Sequence, residues 1–264
     1  MRKALTSLPV SVLLVAAIAL PSAAGAAPSV AAKIEIEPIP GFPHTGDILG
    51  AGADAQVEYT IAGTEYFGSP PPVIGVNGYL PSGARVQTSG FPTCAVKTLE
   101  MLGPIACPKD SALGPVGKVI GFVTFGGERV EEEAELFSFF RPGGGGTFLV
   151  DGHTPTELEI LSTAHIVNPD GRGGAGPELA VEVPLVASVP GAPYASARSI
   201  SARVGAAYRS HGHTIYAGRL PDTCPKGGWP VKSEVIFAEN GEPSKPEPVD
   251  VINHLPCPSG KGSS

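Results

Sequence analysis

The chain of 264 residues is rich in glycine and proline and poor in charge, with 35 Gly, 29 Pro and 16% charged side chains. Frequent glycine and proline are incompatible with long helices, which excludes a helical bundle. The formal net charge of −7, without a basic stripe, argues against a nucleic-acid partner. The mean hydropathy of +0.14 argues against disorder. These figures indicate a β-rich globular protein with many turns.

The first 26 residues have the three-part order of a secretory signal peptide. Arg2 and Lys3 precede an apolar run at 10–20, and small residues follow at 24–26. The run is about 11 residues long, whereas a membrane-spanning helix needs roughly 20. We predict cleavage after Ala26 and a secreted protein, in the medium or at the cell surface, with no membrane span. The rest is predicted to form one domain over 27–258 and a disordered tail over 259–264.

Alternating apolar and polar residues predict strands along most of the chain. Residues 33–37 alternate strictly, and Val57, Tyr59 and Ile61 repeat the pattern. Residues 118–125 are apolar on both faces, which indicates a central position in a sheet. Residues 95–102 predict one short helix. Further strands are predicted at 73–80, 85–88, 129–140, 147–150, 157–167, 178–189, 196–208, 214–220, 231–238 and 249–254.

The spacing of these segments indicates an all-β fold. About a dozen short strands separated by Gly/Pro turns are typical of a sandwich or a barrel. No sequence interval repeats, so a propeller or solenoid is not supported. We predict an antiparallel, jelly-roll-like β-sandwich.

Four cysteines follow the predicted signal peptide: Cys94, Cys107, Cys224 and Cys257. An even number in an exported protein favours disulfides over free thiols. Three pairings are possible, and sequence proximity favours Cys94–Cys107 and Cys224–Cys257. Closing these loops would stabilise the fold by about 3 and about 3.5–4 kcal/mol. The cysteines lack the close C-x2-C spacing of a zinc site.

The acidic run 131–135 is a candidate for catalysis. Glu131, Glu133 and Glu135 share one face of a predicted strand, and glycosidases use paired carboxylates across a cleft. Sequence alone shows neither a cleft nor sugar-stacking aromatic residues around them. A solvated strand face that blocks edge-to-edge association fits this pattern better.

His211 and His213 are candidates for a metal site, because both imidazoles would lie on one side of an extended strand. Gly212 between them instead favours a hairpin turn with exposed histidines. The candidates for a third ligand are Asp151, His153 and His254.

The cysteine neighbourhoods resemble a bacterial family. The segment 94–99 (CAVKTL), the segment 107–114 (CPKDSALG) and the segment 224–229 (CPKGGW) with Cys257 resemble uncharacterised secreted proteins of high-GC Gram-positive bacteria, which carry a C-P-x-x-S-x-x-G segment. The resemblance implies an exported β-sandwich with two local disulfides and implies no activity.

Local chemistry explains these segments without the family. The Ser111 hydroxyl can cap a turn, and Gly114 permits a positive φ before the next strand. Trp229 is predicted to pack in the core beside the second disulfide.

From the sequence we expect a secreted, non-catalytic structural or binding protein of the cell envelope or medium, with no cofactor and no metal. Contact with the cell envelope is consistent with export. The alternatives are an extracellular carbohydrate-active enzyme and a metal-binding module. A concave face that gathers acidic groups or histidines would favour one of these alternatives.

Overall fold

The computed structural model describes residues 25–39, 49–171 and 176–257. Residues 1–24 of the predicted signal peptide and the predicted tail 259–264 lie outside the described residues. The strands are β1 (Ser29–Pro38), β2 (Ala53–Ala62), β3 (Val73–Tyr79), β4 (Arg85–Val86), β5 (Gly117–Phe125), β6 (Glu128–Phe140), β7 (Gly146–Gly152), β8 (Leu158–Val167), β9 (Glu178–Glu182), β10 (Ser196–Val204), β11 (Ala207–Ser210), β12 (His213–Tyr216), β13 (Gly218–Arg219), β14 (Trp229–Ala238) and β15 (Pro246–Leu255). The helix α1 spans Val96–Leu102, and short 3-10 turns occupy Pro104–Ala106, Lys109–Ser111 and Glu239–Gly241.

Eleven of the described strands form one antiparallel sheet, in the order β1-β2-β10-β5-β6-β7-β8-β9-β3-β14-β15. Two small sheets, β11-β12 and β4-β13, lie outside it. The prediction of an all-β antiparallel fold is therefore confirmed. The finer prediction of a jelly-roll sandwich is not confirmed, because a sandwich needs two sheets packed face to face.

The large sheet is nearly barrel-shaped. Its two edge strands, β1 and β15, lie against each other. Ile34 and Ile36 of β1 pack in the same cluster as Leu255 of β15, and Val30 packs in the same cluster as Val249. A twisted antiparallel sheet of this width curls, and burial of the apolar edge side chains brings its ends together.

The two ends of the curled sheet are closed differently. We call the end at which β2, β5 and β14 begin the upper end, and the opposite end the lower end. The β4-β13 sheet lies at the upper end, where Gly52 also bridges to Arg219. At the lower end, the Arg129 guanidinium donates to the Tyr194 carbonyl at 3.0 Å and to the Ser69 and Ser196 hydroxyls at 2.9 and 2.8 Å. These bonds fasten the loops that follow β2 and precede β10.

Both disulfides favoured by sequence proximity are present. Cys94 and Cys107 join across α1, with a Cα–Cα distance of 5.3 Å. Their cluster, with Leu99, covers the outward-facing Phe139 and Leu149. The Cys224–Cys257 bridge, with a Cα–Cα distance of 5.8 Å, ties the segment before β14 to the segment after β15.

The local predictions for Ser111 and Trp229 are confirmed, and the one for Gly114 is wrong. The Ser111 hydroxyl donates to the Pro108 carbonyl at 2.5 Å. Trp229 is buried beside Cys224, and its indole N–H donates to the Thr223 carbonyl at 2.9 Å. Gly114 does not have a positive φ. It is needed for space instead, because a Cβ there would collide with the Arg203 carbonyl.

Candidate functional site: the interior of the curled sheet

Side chains alternate between the inside and the outside of the large sheet. On β14, Val231 and Ser233 point inward, whereas Lys232 and Glu234 lie on the opposite face. The outer face carries ion pairs, such as Lys232 with Asp250 at 2.9 Å. This alternation gives most strands of the large sheet a largely apolar inner row.

The inner rows enclose a cavity of about 400 Å³. Aliphatic side chains from strands all around the sheet line it. These include Val57 of β2, Val119 of β5, Ile160 of β8, Val181 of β9 and Ile200 of β10. All five are only half-buried, although they face the interior. A filled protein core would bury such side chains almost completely, so the centre of the sheet is an apolar chamber.

Polar groups on the chamber wall are mostly paired with each other. Tyr59 Oη donates to Ser233 Oγ at 2.8 Å, and burial raises the pKa of Tyr59 above its ordinary value. Near the upper end, the buried Asp54 carboxylate accepts two hydrogen bonds from Arg203, at 2.8 and 3.1 Å. In these two pairs the polar groups of the wall form hydrogen bonds with each other, so neither pair supplies a free reactive group.

Glu132 is the exception on this wall. It belongs to the inner row of β6, with Ala134 and Leu136, and only 4% of its surface is exposed. Both carboxylate oxygens are buried, and neither has a hydrogen-bond partner among the described residues. The side chain lies over Gly152 of β7, where a Cβ would collide with it. Glu132 thus places an acidic side chain in the wall of an apolar chamber, with its carboxylate buried behind the wall surface.

Burial raises the pKa of Glu132 above its ordinary value of 4.5. The backbone N–H groups of Thr154 and Thr156 lie close enough to oppose this rise, as does the nearby His153. Neither N–H reaches hydrogen-bond geometry with the carboxylate. No lysine or arginine in the described part of the chain is among the groups that shift this pKa. Within residues 25–39, 49–171 and 176–257, the carboxylate therefore has no lysine or arginine partner.

Replacing Glu132 by leucine is expected to stabilise the protein at pH 7 by about 1–3 kcal/mol, the usual penalty for a buried unsatisfied group. The pKa is higher in the folded than in the unfolded state. The folded protein therefore binds more protons between these two pKa values, and stability falls as pH rises through that window. The advantage of the Glu132→Leu variant should accordingly shrink as the pH is lowered towards 4.5. Urea unfolding of wild type and variant at a series of pH values measures this difference.

Glu135→Leu is the matched control, because Glu135 lies on the same strand but is exposed. We expect its stability to stay within about 0.5 kcal/mol of the wild type. A Glu132→Leu variant that is less stable than the wild type at pH 7 would contradict the burial penalty.

The predicted face of Glu131, Glu133 and Glu135 is exposed on the outside of the sheet. Arg198 pairs with Glu131, and Lys118 pairs with Glu133 at 2.5 Å. These three carboxylates therefore do not face the chamber. The acidic groups that do line it, Asp54 and Glu132, lie towards opposite ends of the strands, so they do not form the carboxylate pair of a glycosidase.

The predicted histidine turn is confirmed. His211 and Gly212 both have positive φ between β11 and β12, and His211 and His213 are exposed. His153 pairs instead with Asp151 at 3.3 Å, and His254 lies on β15. No group of three metal-ligating side chains is found within residues 25–39, 49–171 and 176–257.

The sequence prediction missed Glu132 as a distinct residue. The signal was its position in the strand. Every second residue from Val130 to Leu136 lies on the same face of the strand, and Glu132 is the one charged residue among these otherwise apolar positions. A carboxylate on the apolar face of a strand is either paired or functional.

Among the described residues, no helix is long and apolar enough to cross a membrane. Comparison with protein-family models, curated proteins and solved structures gave no match to this chain.

Proposed function

We propose that this protein is an exported, non-catalytic binding protein that holds an apolar small molecule inside its curled sheet. The observation that carries the proposal is the apolar chamber of about 400 Å³, lined by aliphatic side chains that remain half-buried. Ligand pockets typically measure about 300–1,000 Å³ and have mostly apolar walls with few polar groups. Filling the chamber would complete the burial of these side chains.

The two disulfides support export, because disulfides persist in oxidising compartments. The signal peptide and its cleavage after Ala26 are part of the proposal, as is the family resemblance to secreted bacterial proteins. The resemblance concerns the cysteine segments, of whose residues only Leu113 lines the chamber, so the binding proposal does not depend on it.

An apolar chamber predicts how affinity depends on chain length. In a series of straight-chain alcohols, affinity should rise about fourfold per added methylene, because each buried CH₂ contributes about 0.8 kcal/mol. The rise should stop when the chain fills the chamber. Isothermal titration calorimetry measures the series, and binding should show a negative heat-capacity change from apolar burial. An affinity that does not depend on chain length would contradict binding in this chamber.

Filling the chamber by mutation provides the sharper test. Gly78 of β3 lines the chamber, and a Cβ there would meet only the Leu179 side chain, at 4.0 Å. The Gly78→Phe variant should fold, because the position has space and an ordinary φ, and its ring should occupy the ligand's volume. We expect dodecanol to bind at least about tenfold more weakly to this variant, because steric exclusion opposes binding.

The matched control is Asn77→Phe, one position earlier on the same strand. Asn77 lies opposite Glu234 on the outer face, so the added ring stays outside the chamber. Dodecanol should bind this variant as it binds the wild type. Equal weakening by both substitutions would place the binding site elsewhere.

A further inference from the structure

The position of Glu132 narrows the class of ligand. This inference rests on the apolar-ligand function proposed above. The chamber wall consists mostly of aliphatic groups and includes the Glu132 side chain, whose two carboxylate oxygens are buried and lack hydrogen-bond partners among the described residues. An unpaired charge in an apolar site is strongly unfavourable and is compensated by pairing with an opposite charge.

The ligand's head group can supply the cation that the described residues do not supply to Glu132. Arg203 is occupied by Asp54 and Glu37, and Arg129 binds hydroxyl and carbonyl groups under the lower-end loops. Arg85 and Arg219 line the chamber, but both belong to the β4-β13 sheet at the upper end. The acidic net charge of the chain also favours the approach of a cation.

We propose that Glu132 anchors the head group of the bound molecule, and that this molecule is a lipophilic amine. Because both carboxylate oxygens are buried against Gly152, the Glu132 side chain would turn towards the ligand on binding. The ammonium group would then donate hydrogen bonds to this carboxylate, and the alkyl body would lie along the aliphatic wall. No covalent chemistry is involved. The chamber would then select its ligand by the positive charge of the head group and by the apolar shape of the alkyl body.

Three probes of equal chain length test this selection: dodecylamine, dodecanol and dodecanoate, titrated separately below the concentrations at which they form micelles. Wild-type protein should bind the amine at least about tenfold more tightly than the alcohol, because a charge-assisted hydrogen bond is added. It should bind dodecanoate most weakly, since two carboxylates repel. In the Glu132→Gln variant, the affinity for dodecylamine should fall to about the affinity for dodecanol.

Glu135→Gln is the control, because it removes one exposed charge from the same strand. It should retain the amine preference. If Glu132→Gln does not fold, as judged by circular dichroism, Glu132→Met provides an uncharged side chain of similar volume for the same comparison.

The outcomes separate the two proposals. Equal binding of all three probes, or an amine preference that survives loss of the Glu132 charge, would overturn the anchor role and leave the apolar-ligand function standing. Tightest binding of dodecanoate would also overturn it. Failure of all three probes to bind would overturn the apolar-ligand function itself.

Discussion

Removal of the Cys224–Cys257 disulfide is expected to lower the free energy of unfolding by about 4 kcal/mol, because the unfolded chain without the bridge gains the conformational entropy that closing its loop removes. The two cysteines are 33 positions apart and flank the β14-β15 hairpin. Trp229 and Leu255 pack in the same cluster as the disulfide, where β14 begins and β15 ends. Against a typical stability of about 5–15 kcal/mol, this loss is large enough to unfold part of the population. Urea unfolding of the Cys224→Ser/Cys257→Ser variant, followed by Trp229 fluorescence, measures it.

The Cys94→Ser/Cys107→Ser variant is the natural comparison. Its cysteines are 13 positions apart, and the shorter loop should contribute about 3 kcal/mol. We therefore expect the second disulfide to matter more than the first. A loss below about 1 kcal/mol for the Cys224–Cys257 pair would show that this bridge does not constrain the unfolded chain as the loop-entropy estimate requires.

Truncation of Phe140 is expected to lower the free energy of unfolding by about 3–5 kcal/mol, the usual effect of Phe→Ala in a core. Phe140 is 0% exposed, and its ring stacks on Phe91 with 4.1 Å between ring centroids. It also lines the upper part of the chamber. Chemical denaturation of Phe140→Ala measures the loss.

Phe125→Ala is the control, because Phe125 ends β5 with 52% of its surface exposed. We expect its effect to stay within about 0.5 kcal/mol. A similar loss of unfolding free energy in both variants would contradict the account that Phe140 is packed in the wall whereas Phe125 is exposed.

Strand positions could be predicted from the sequence because they depend on local pattern. The segment 33–37 lies within β1, and the segment 118–125 lies within β5. The short helix and the turn at His211 were also local signals. The predicted strand was too long at 178–189, because only Glu178–Glu182 is a strand and the chain changes direction after it.

The pairing of strands could not be predicted in the same way. β10 lies between β2 and β5, and β3 lies between β9 and β14, although these strands are distant in sequence. Such pairings depend on which apolar faces bury each other, and that information is spread over the whole chain. Alternating strands fit both a sandwich and a curled sheet, because each has one apolar face per strand.

The chamber is harder still to predict, because it is a property of volume rather than of pattern. Inward-facing valines and isoleucines look alike whether they fill a core or surround a cavity. Glu132 was the residue that could have indicated the difference, since a carboxylate in an apolar row is unfavourable in a filled core. The sequence instead drew attention to its exposed neighbours, which form ion pairs on the outside.

The most direct test of the binding site is to locate a bound alkyl chain by NMR. Intermolecular nuclear Overhauser effects would be measured between the chain of dodecanol and the labelled methyl groups of the protein. We expect effects at the inward methyls of Val57, Ile160 and Val181, which line the chamber. Effects confined to exposed methyls, such as those of Ile105 and Ile252 on the outer surface, would contradict an apolar binding site inside the sheet.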